Sequence, residues 1–229
     1  MDIAQCEKTL DVVFKNKTLL QTAFTHRSFL NENRRVKIEH NERLEFLGDA
    51  VLELIVTEYL FAKYPNKPEG ELTAFRSALV NANILSELAL KLGLNSFIML
   101  SRGEAKDTGR ARQYILANAF EAVVGAIFLD QGYGAAQKFI ETNLLPLTDG
   151  IVHGKAWLDA KSHFQEKAQE IVGITPAYTT LSEIGPDHNK QFTVGVFLGS
   201  EKIAEGTGQS KQEAEQSAAK AALTVKAWE

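Results

Sequence analysis

The sequence has few cysteines, prolines and tryptophans, and it has no excess of positive charge. A single cysteine, Cys6, cannot form an internal disulfide, and no group of Cys and His residues has the spacing of a zinc site. The N-terminus lacks the basic, apolar and small-residue order of a signal peptide, and no apolar run approaches membrane-spanning length. These absences predict a globular protein of a reducing compartment, cytoplasmic and without membrane association.

The charge balance argues weakly against nucleic acid as a ligand. The formal net charge is -4, with 17 Lys and Arg against 19 Asp and Glu in residues 1–150, and 8 against 10 in residues 151–229. Because phosphate binding normally shows as a basic domain or patch, a role in binding RNA must be argued from local motifs.

The spacing of apolar residues divides the chain into two parts. The first 145 residues show apolar positions three and four apart, interrupted by loop signals such as YPNKPEG (64–70), with no convincing strand. Further along, a helical pattern is followed by three strand-like segments, among them the alternating QFTVGVFLG, and by an Ala-rich helical segment. We therefore predict an all-α domain over 1–148, a linker over 149–156, and a small α-β-β-β-α domain over 157–229.

Acidic residues interrupt an otherwise apolar helical segment, NERLEFLGDAVLEL (41–54). A helical wheel gathers the acids on one side and the apolar residues on the other: Glu42, Glu45, Asp49 and Glu53 against Leu44, Leu47, Gly48, Val51, Leu54 and Ile55. The simple interpretation is an amphipathic helix with a solvated acidic face. Like charges at this spacing repel, however, and Phe46 lies among them, which favours a functional face that a partner covers.

A second segment, QYILANAFEAVVGAIFLD (113–130), is apolar on all sides except at Asn118 and Glu121. Such a helix is buried, and a buried carboxylate must be neutralised, paired or bound to a metal. If the two helices pack together, an oxygen-only cluster can form from Glu45, Asp49, Asn118 and Glu121. Such clusters suit Mg²⁺, which can activate water for phosphodiester hydrolysis. On spacing alone, a solvated acidic face remains an equal alternative.

The segment HNERLEFLGDAVL (40–52) resembles the signature of the ribonuclease III family of double-stranded RNA endonucleases. The resemblance extends through THRSF (25–29), EGELT (69–73) and ILANAFEAVVGAIFLDQGY (115–133). It implies a helical endonuclease domain that forms a homodimer through the signature helix and cleaves both strands with Mg²⁺, or with Mn²⁺ in its place. Products would carry 5′-phosphate and 3′-hydroxyl ends, with no covalent nucleophile and no organic cofactor.

The resemblance also implies roles for individual residues. Asp49 and Glu121 match catalytic positions, and the implied metal ligands are Glu45, Asp49, Asn118 and Glu121. Glu42 and Glu69 match further acidic positions of the active site, and Phe46 matches an aromatic residue that inserts into the partner subunit.

Asn118 departs from the family pattern, which most often has Asp at this position. An amide oxygen can ligate a cation but adds no negative charge, so we expect lower metal affinity. Three alternatives are open: a natural variant that still cleaves, a homologue that only binds double-stranded RNA, and a deliberate substitution. Retained activity is favoured because the other acidic residues are all present.

The C-terminal segments SHFQEKAQE (162–170), GPDHNKQF (185–192) and GTGQSKQEAEQSAAKAAL (206–223) resemble the double-stranded RNA-binding domain. Independently, Ser210 and Glu213 predict a capping box whose helix N-terminus could bind phosphate, although a plain capped surface helix is by itself the commoner case. The resemblance implies recognition of A-form shape. The implied RNA contacts are Gln165, Glu166, His188, Lys211 and Gln212. Gln212 stands where a second Lys is common and the domain carries a net charge of -2, so we expect weaker and less salt-sensitive RNA binding than a basic domain would show.

Overall fold

The structure, a computed structural model, describes residues 1–153, 159–186 and 190–228. The chain divides into two units, Met1–Trp157 and Leu158–Glu229. The first unit is built from helices, and the second from a three-stranded antiparallel sheet with two helices. The predicted fold class, an all-α domain followed by a small α+β domain, is therefore confirmed.

The first unit, which we call the helical unit, packs its helices around one apolar core. Its helices are α1 (Ile3–Leu10), α2 (Lys17–Ala23), α3 (Arg27–Glu32), α4 (Glu42–Lys63), α5 (Glu69–Leu79), α6 (Ala82–Lys91), α7 (Arg110–Gln131), α8 (Tyr133–Asn143) and α9 (Thr148–His153). Short 3₁₀ turns occur at Leu94–Ser96, Glu104–Lys106 and Leu145–Leu147. An isolated parallel bridge between Thr25 and Met99 ties the start of α3 to the loop that precedes α7.

Helix α7 is the central core helix of this unit. By length and composition it reaches the range of a membrane span, contrary to the expectation that no apolar run does so. Within that apolar window, 61% is buried inside the protein. Its apolar side chains are therefore covered by neighbouring helices, as in the core of a helical bundle.

The end of the helical unit differs from the predicted boundary. Residues 149–153, assigned above to the linker, belong to α9, in which Thr148 and Ile151 are buried. The Asp149 carboxylate also pairs with the Lys63 ammonium at 2.6 Å, which raises the pKa of Lys63 and lowers that of Asp149. Tertiary packing thus extends the helical unit to His153, and residues 154–156 of the predicted linker lie outside the described residues.

The only cysteine of the sequence, Cys6, is buried in α1. Burial, assisted by the nearby charges of Glu7 and Asp2, raises the pKa of its thiol to about 12. The thiol is therefore protonated near neutral pH and unreactive as a nucleophile.

The second unit, which we call the small unit, follows the predicted order of elements: α10 (Ala160–Val172), β1 (Ala177–Ile184), β2 (Gln191–Leu198), β3 (Glu201–Gly208) and α11 (Lys211–Lys226). The strands pair in the order β1-β2-β3. The alternation recognised in the sequence turns Val196 and Leu198 towards the helices, where they meet Phe164 of α10. The ring of Trp228 stacks on Phe164 with centroids 5.4 Å apart, so Trp228 is a packing residue.

Candidate active site and RNA-binding surface

Helices α4 and α7 cross in direct backbone contact at two glycines. A β-carbon at Gly48 would lie 1.8 Å from the backbone oxygen of Glu121, and one at Gly125 would lie 2.3 Å from that of Leu44. Neither position has room for any side chain. Gly48 lies on the apolar side of the helical wheel, which does not reveal this contact, although an isolated glycine in a helical pattern is a signal of close packing.

This crossing brings together oxygen-bearing side chains from both helices. Glu45 and Asp49 come from α4, while Asn118 and Glu121 come from α7. The Asn118 amide donates a hydrogen bond to the Glu45 carboxylate. In addition to burial, the negative charges of Asp49 and Glu45 both raise the pKa of the Glu121 carboxyl group. We call these four residues the acidic cluster.

The carboxylates of the acidic cluster are electrostatically unfavourable as they stand. Burial, followed by repulsion from Asp49 and Glu45, raises the pKa of Glu121 from 4.5 to about 8. Burial also raises the pKa of Glu45, with added repulsion from Glu42 and Asp49, while the hydrogen bond from Asn118 opposes the shift. Half-buried carboxylates that repel one another favour either a proton or a bound cation.

The donor set of the acidic cluster fits a hard divalent cation. In the described ranges, no Lys, Arg or His lies within 4.0 Å of Glu45, Asp49 or Glu121 to neutralise them. Nor do the described residues hold three His, Cys, Asp or Glu side chains close enough to enclose an ion on their own. An open, oxygen-only set is what Mg²⁺ uses when waters and substrate phosphate complete its coordination.

The two further acidic residues predicted for the active site, Glu42 and Glu69, have different partners in the structure. Glu42 begins α4, pairs with the Arg27 guanidinium at 2.9 Å, and acts on Glu45 through its charge. Glu69 begins α5, is exposed, and accepts a hydrogen bond from the Thr73 hydroxyl at 3.3 Å. Within the described chain, no hydrogen bond or ion pair joins Glu69 to the acidic cluster.

Phe46 lies on the outer side of α4, where 81% of its surface is exposed. It stands at the edge of an open cavity of about 800 Å³. Apolar side chains of three helices line that cavity: Leu19, Leu44, Leu47 and Leu129. An exposed phenylalanine beside an apolar cavity is the pattern of a surface that another chain covers. Leu54, placed above on the apolar side of α4, is also exposed.

In the small unit, β3 packs closely against α11 at two glycines, Gly208 near the start of the helix and Gly206 near its middle. A β-carbon at Gly206 would lie 2.0 Å from the backbone nitrogen of Ala218. The Ser210 hydroxyl accepts a hydrogen bond from the Glu213 N–H at 3.1 Å, as the capping box predicts. The Glu213 carboxylate accepts from the Gln209 N–H at 2.8 Å, one residue before the position that a capping box uses.

The residues predicted to contact RNA are exposed where the structure describes them. Lys211 and Gln212 open α11, and the Lys211 ammonium lies 5.8 Å from the centre of the Phe192 ring. Gln165 and Glu166 lie on the outer side of α10. His188 lies outside the described residues.

Comparisons with known proteins match both units. A family described as Ribonuclease-III-like matches residues 16–147, and one described as Double-stranded RNA binding motif matches residues 160–226. Ribonuclease 3 of Bdellovibrio bacteriovorus is 46% identical over 214 residues, which cover 93% of this chain and 91% of that protein. Ribonuclease 3 of Streptococcus equi subsp. zooepidemicus is 43% identical over 220 residues, 96% and 95% of the two chains.

A solved structure of the nuclease domain of ribonuclease III from Campylobacter jejuni aligns with a TM-score of 0.56 at 43% identity. The alignment covers 63% of this chain and 99% of that chain, and that work describes flexibility in a region involved in dimer formation. The fold and the acidic cluster thus define an endoribonuclease with a separate unit for duplex RNA. The chain belongs to the ribonuclease III family of double-stranded RNA endoribonucleases, and membership implies dependence on a divalent metal ion.

Proposed function

We propose that this protein hydrolyses phosphodiesters of double-stranded RNA at the acidic cluster with Mg²⁺, or with Mn²⁺ in its place. The products are a 5′-phosphate and a 3′-hydroxyl end, and the cell compartment is the cytoplasm, where such RNA is processed. The observation that carries the proposal is the close crossing of α4 and α7, which brings the carboxylates of Asp49 and Glu45 near half-buried Glu121 so that their repulsion adds to burial in raising its pKa. A divalent cation removes that repulsion.

In this mechanism the side chains of the acidic cluster have separate tasks. Glu45, Asp49 and Glu121 would hold the cation through carboxylate oxygens and bound waters, since the three side chains by themselves do not enclose an ion. The bound ion supplies an activated water and stabilises the leaving oxygen. Asn118 orients the Glu45 carboxylate through its hydrogen bond, so the amide contributes even where it adds no charge. No side chain needs to form a covalent bond to phosphorus.

The Asn118 amide also lowers the repulsion inside the acidic cluster before metal binds. An Asp at position 118 would add a fourth carboxylate and remove the hydrogen bond that opposes the raised pKa of Glu45. Asn118 is therefore compatible with catalysis in this proposal. Compared with Asp at the same position, it weakens metal binding and stabilises the metal-free protein.

The active form in this proposal is a homodimer joined through α4. Phe46 and the apolar cavity lie side by side on one surface, so a two-fold axis can place each ring in the cavity of the partner. A two-fold dimer also offers one acidic cluster to each strand of the duplex. Phe46→Ala should shift the protein to monomers in analytical ultracentrifugation, whereas Phe61→Ala, another exposed α4 residue, should do so only if that end of α4 also joins the interface.

The second candidate is a protein that binds double-stranded RNA without cutting it, and Asn118 is the observation in its favour. Incubation of end-labelled duplex RNA with Mg²⁺, Mn²⁺ or chelator separates the two functions. We expect short products with 5′-phosphates under both metals and none with chelator. Binding without cleavage under either metal, with cleavage restored by Asn118→Asp, would establish the second candidate instead.

A further inference from the structure

Glu42 differs from the carboxylates of the acidic cluster because it has a cation of its own. It lies three residues before Glu45 in α4, so the two carboxylates project from the same side of the helix. The negative charge of Glu42 adds to burial in raising the pKa of Glu45. The Arg27 guanidinium donates a hydrogen bond to the Oε2 atom of Glu42 at 2.9 Å. Arg27 is therefore linked to the acidic cluster through a single carboxylate.

One oxygen of the Glu42 carboxylate is held, and the other is free. The Nδ1 atom of His40 lies 3.8 Å from Oε2, which is too far for a hydrogen bond, so Arg27 is the side chain that fixes this oxygen. The other oxygen, Oε1, accepts no hydrogen bond from the residues that the structure describes. Because 45% of the side chain is exposed, water can reach the carboxylate.

The backbone that presents Arg27 is tied to the start of α4 by Asn41. The Asn41 N–H donates to the Thr25 carbonyl at 2.9 Å, and its side-chain amide donates to the Ala23 carbonyl at 3.3 Å. Asn41 occupies the N-cap position of α4, yet its side chain makes no capping hydrogen bond. A side chain that normally caps a helix is instead used to hold two segments together, which fixes the distance between Arg27 and Glu42.

The same segment is held on its other side by the loop that precedes α7. The His26 N–H donates to the Met99 carbonyl at 3.1 Å. The Ser28 hydroxyl accepts a hydrogen bond from the Ser101 N–H at 3.0 Å. The residues before and after Arg27 are therefore both anchored, so the Arg27 side chain extends from a rigid backbone.

Stability alone does not account for this support. The side chains of Arg27 and Glu42 are 61% and 45% exposed, and ion pairs on a surface contribute little to folding. The acidic cluster does not enclose an ion by itself, so waters must complete the coordination of a bound cation. Such waters need hydrogen-bond acceptors around them, and the free Oε1 of Glu42 is an acceptor of this kind.

From these observations, and resting on the proposed function, we infer that Arg27 is a positioning residue of the cation site. It holds the Glu42 carboxylate beside the acidic cluster, with Oε1 directed to a cation-bound water. Arg27 does not touch the cation or the RNA in this arrangement and acts only through Glu42. Groups that orient ligands and waters in this way typically change metal affinity or activity by about 10- to 100-fold.

The direction of the effect separates positioning from simple charge. If Arg27 acted only as a positive charge near the site, its removal would strengthen the binding of a cation, because the site would become more negative. If Arg27 positions Glu42, its removal weakens the binding of a cation, because the acceptor is no longer held in place.

The test uses the full chain with Arg27→Met, Glu42→Gln and the double variant. Arg27→Met removes the charge and keeps an unbranched apolar side chain. Binding of Mn²⁺, without RNA, is measured from the electron paramagnetic resonance signal of the free ion. Cleavage of duplex RNA with saturating Mg²⁺ is measured separately as kcat and KM. The control is Lys17→Met, which removes a charge from the pair that Lys17 forms with Glu7 between α2 and α1.

We expect Arg27→Met to weaken Mn²⁺ binding about three- to tenfold and to lower kcat about tenfold, with KM for RNA within twofold. The double variant should match Glu42→Gln within twofold in both measurements, because residues that act as one unit are not additive. Arg27→Lys should restore most of kcat, since a single nitrogen contacts Glu42 and a point charge can replace it. The control should stay within twofold throughout.

Tighter Mn²⁺ binding by Arg27→Met would overturn the inference, as would losses that multiply in the double variant. Urea midpoints show whether each variant is folded, and Arg27→Gln takes the place of Arg27→Met in the same comparison if the methionine variant is destabilised. If the unsubstituted protein binds duplex RNA but fails to cut it with Mg²⁺, the proposed function fails, while Mn²⁺ binding still decides the role of Arg27.

Discussion

Both units contain close backbone packing at glycine, but the charged groups around the contact differ between them. In the helical unit, Gly48 and Gly125 let two helices touch, and the contact places repelling carboxylates side by side. In the small unit, Gly206 lets α11 touch β3, and the charged groups nearby are paired, as in Lys161 with Glu215 at 2.7 Å. Close packing is thus common to both units, and unbalanced charge is what distinguishes a site for chemistry from a structural contact.

The sharpest test of this difference removes one charge from the acidic cluster. We expect Glu121→Gln to lower the cleavage rate by about 10³-fold or more. A cation held at this position lowers the free energy of the charged transition state by several kcal/mol. Duplex binding in chelator should be unchanged. Glu53→Gln, at an exposed acid of α4, is the control that removes the same charge outside the acidic cluster, and it should cleave within twofold of the unsubstituted protein. Equal losses in both variants would contradict a special role for the acidic cluster.

The glycine crossing can be broken directly. We expect Gly48→Ala to cost about 3 kcal/mol or more in unfolding free energy and to abolish cleavage, because the added carbon meets backbone rather than a side chain that can move. Gly134→Ala in α8, where a β-carbon has no atom within 4 Å, should be neutral or slightly stabilising. Urea unfolding compares the two variants. Similar midpoints would show that α4 and α7 can move apart at the crossing without loss of stability.

The repulsion inside the acidic cluster should appear as a pH dependence of stability without metal. The pKa of Glu121 is raised from 4.5 to about 8 in the folded protein, so the folded state holds this proton more tightly than the unfolded state. The resulting stabilisation is complete below pH 4.5 and is lost as the pH rises through 8.

The free energy of unfolding of the unsubstituted protein should therefore fall by about 1–3 kcal/mol between these pH values, compared with that of Glu121→Gln. This is less than the limit of roughly 1.4 kcal/mol per pKa unit, because water screens the site. Urea titrations in chelator at several pH values measure the difference, which Mg²⁺ should abolish. Parallel stability curves for the two proteins would mean that Glu121 titrates normally.

A smaller effect is expected at position 118. Asn118→Asp should raise Mg²⁺ affinity about tenfold by adding a charged ligand, and should lower stability in chelator by about 1 kcal/mol by adding repulsion next to Glu45. Calorimetric titration and thermal unfolding report the two effects separately. If Asn118→Asp raised both Mg²⁺ affinity and stability in chelator, or lowered both, our explanation of Asn118 would be wrong.

The smallest effect belongs to the small unit. We expect Lys211→Ala to weaken duplex binding a few-fold and to reduce the salt slope by about 1, whatever the RNA sequence. Lys220→Ala, further along the same helix, is exposed as well and should leave both unchanged. A salt slope unchanged by Lys211→Ala would show that this lysine does not contact the RNA backbone.

Much of the fold could be predicted because its signals are local. Apolar spacing and the alternation in β2 identify the helices and strands, and the burial of α7 follows from its composition between Ile115 and Leu129. The pairing of Asn118 with Glu121 on one side of α7 follows from their separation of three residues. These inferences need no knowledge of what packs against each element.

What the sequence could not predict depends on contacts through space. The length of α9 depends on burial of Ile151 and on an ion pair between Asp149 and Lys63, residues 86 apart in the chain. The cavity beside Phe46 is assembled from three helices, α2, α4 and α7, which are far apart in the chain.

The buried thiol in α1 has a practical consequence for studying these surfaces. Since Cys6 is inaccessible and stays protonated, a maleimide reagent should modify only a cysteine introduced elsewhere, such as Val13→Cys at a position 74% exposed. Fluorophores or spin labels can therefore be attached to the otherwise unaltered enzyme, one chosen site at a time.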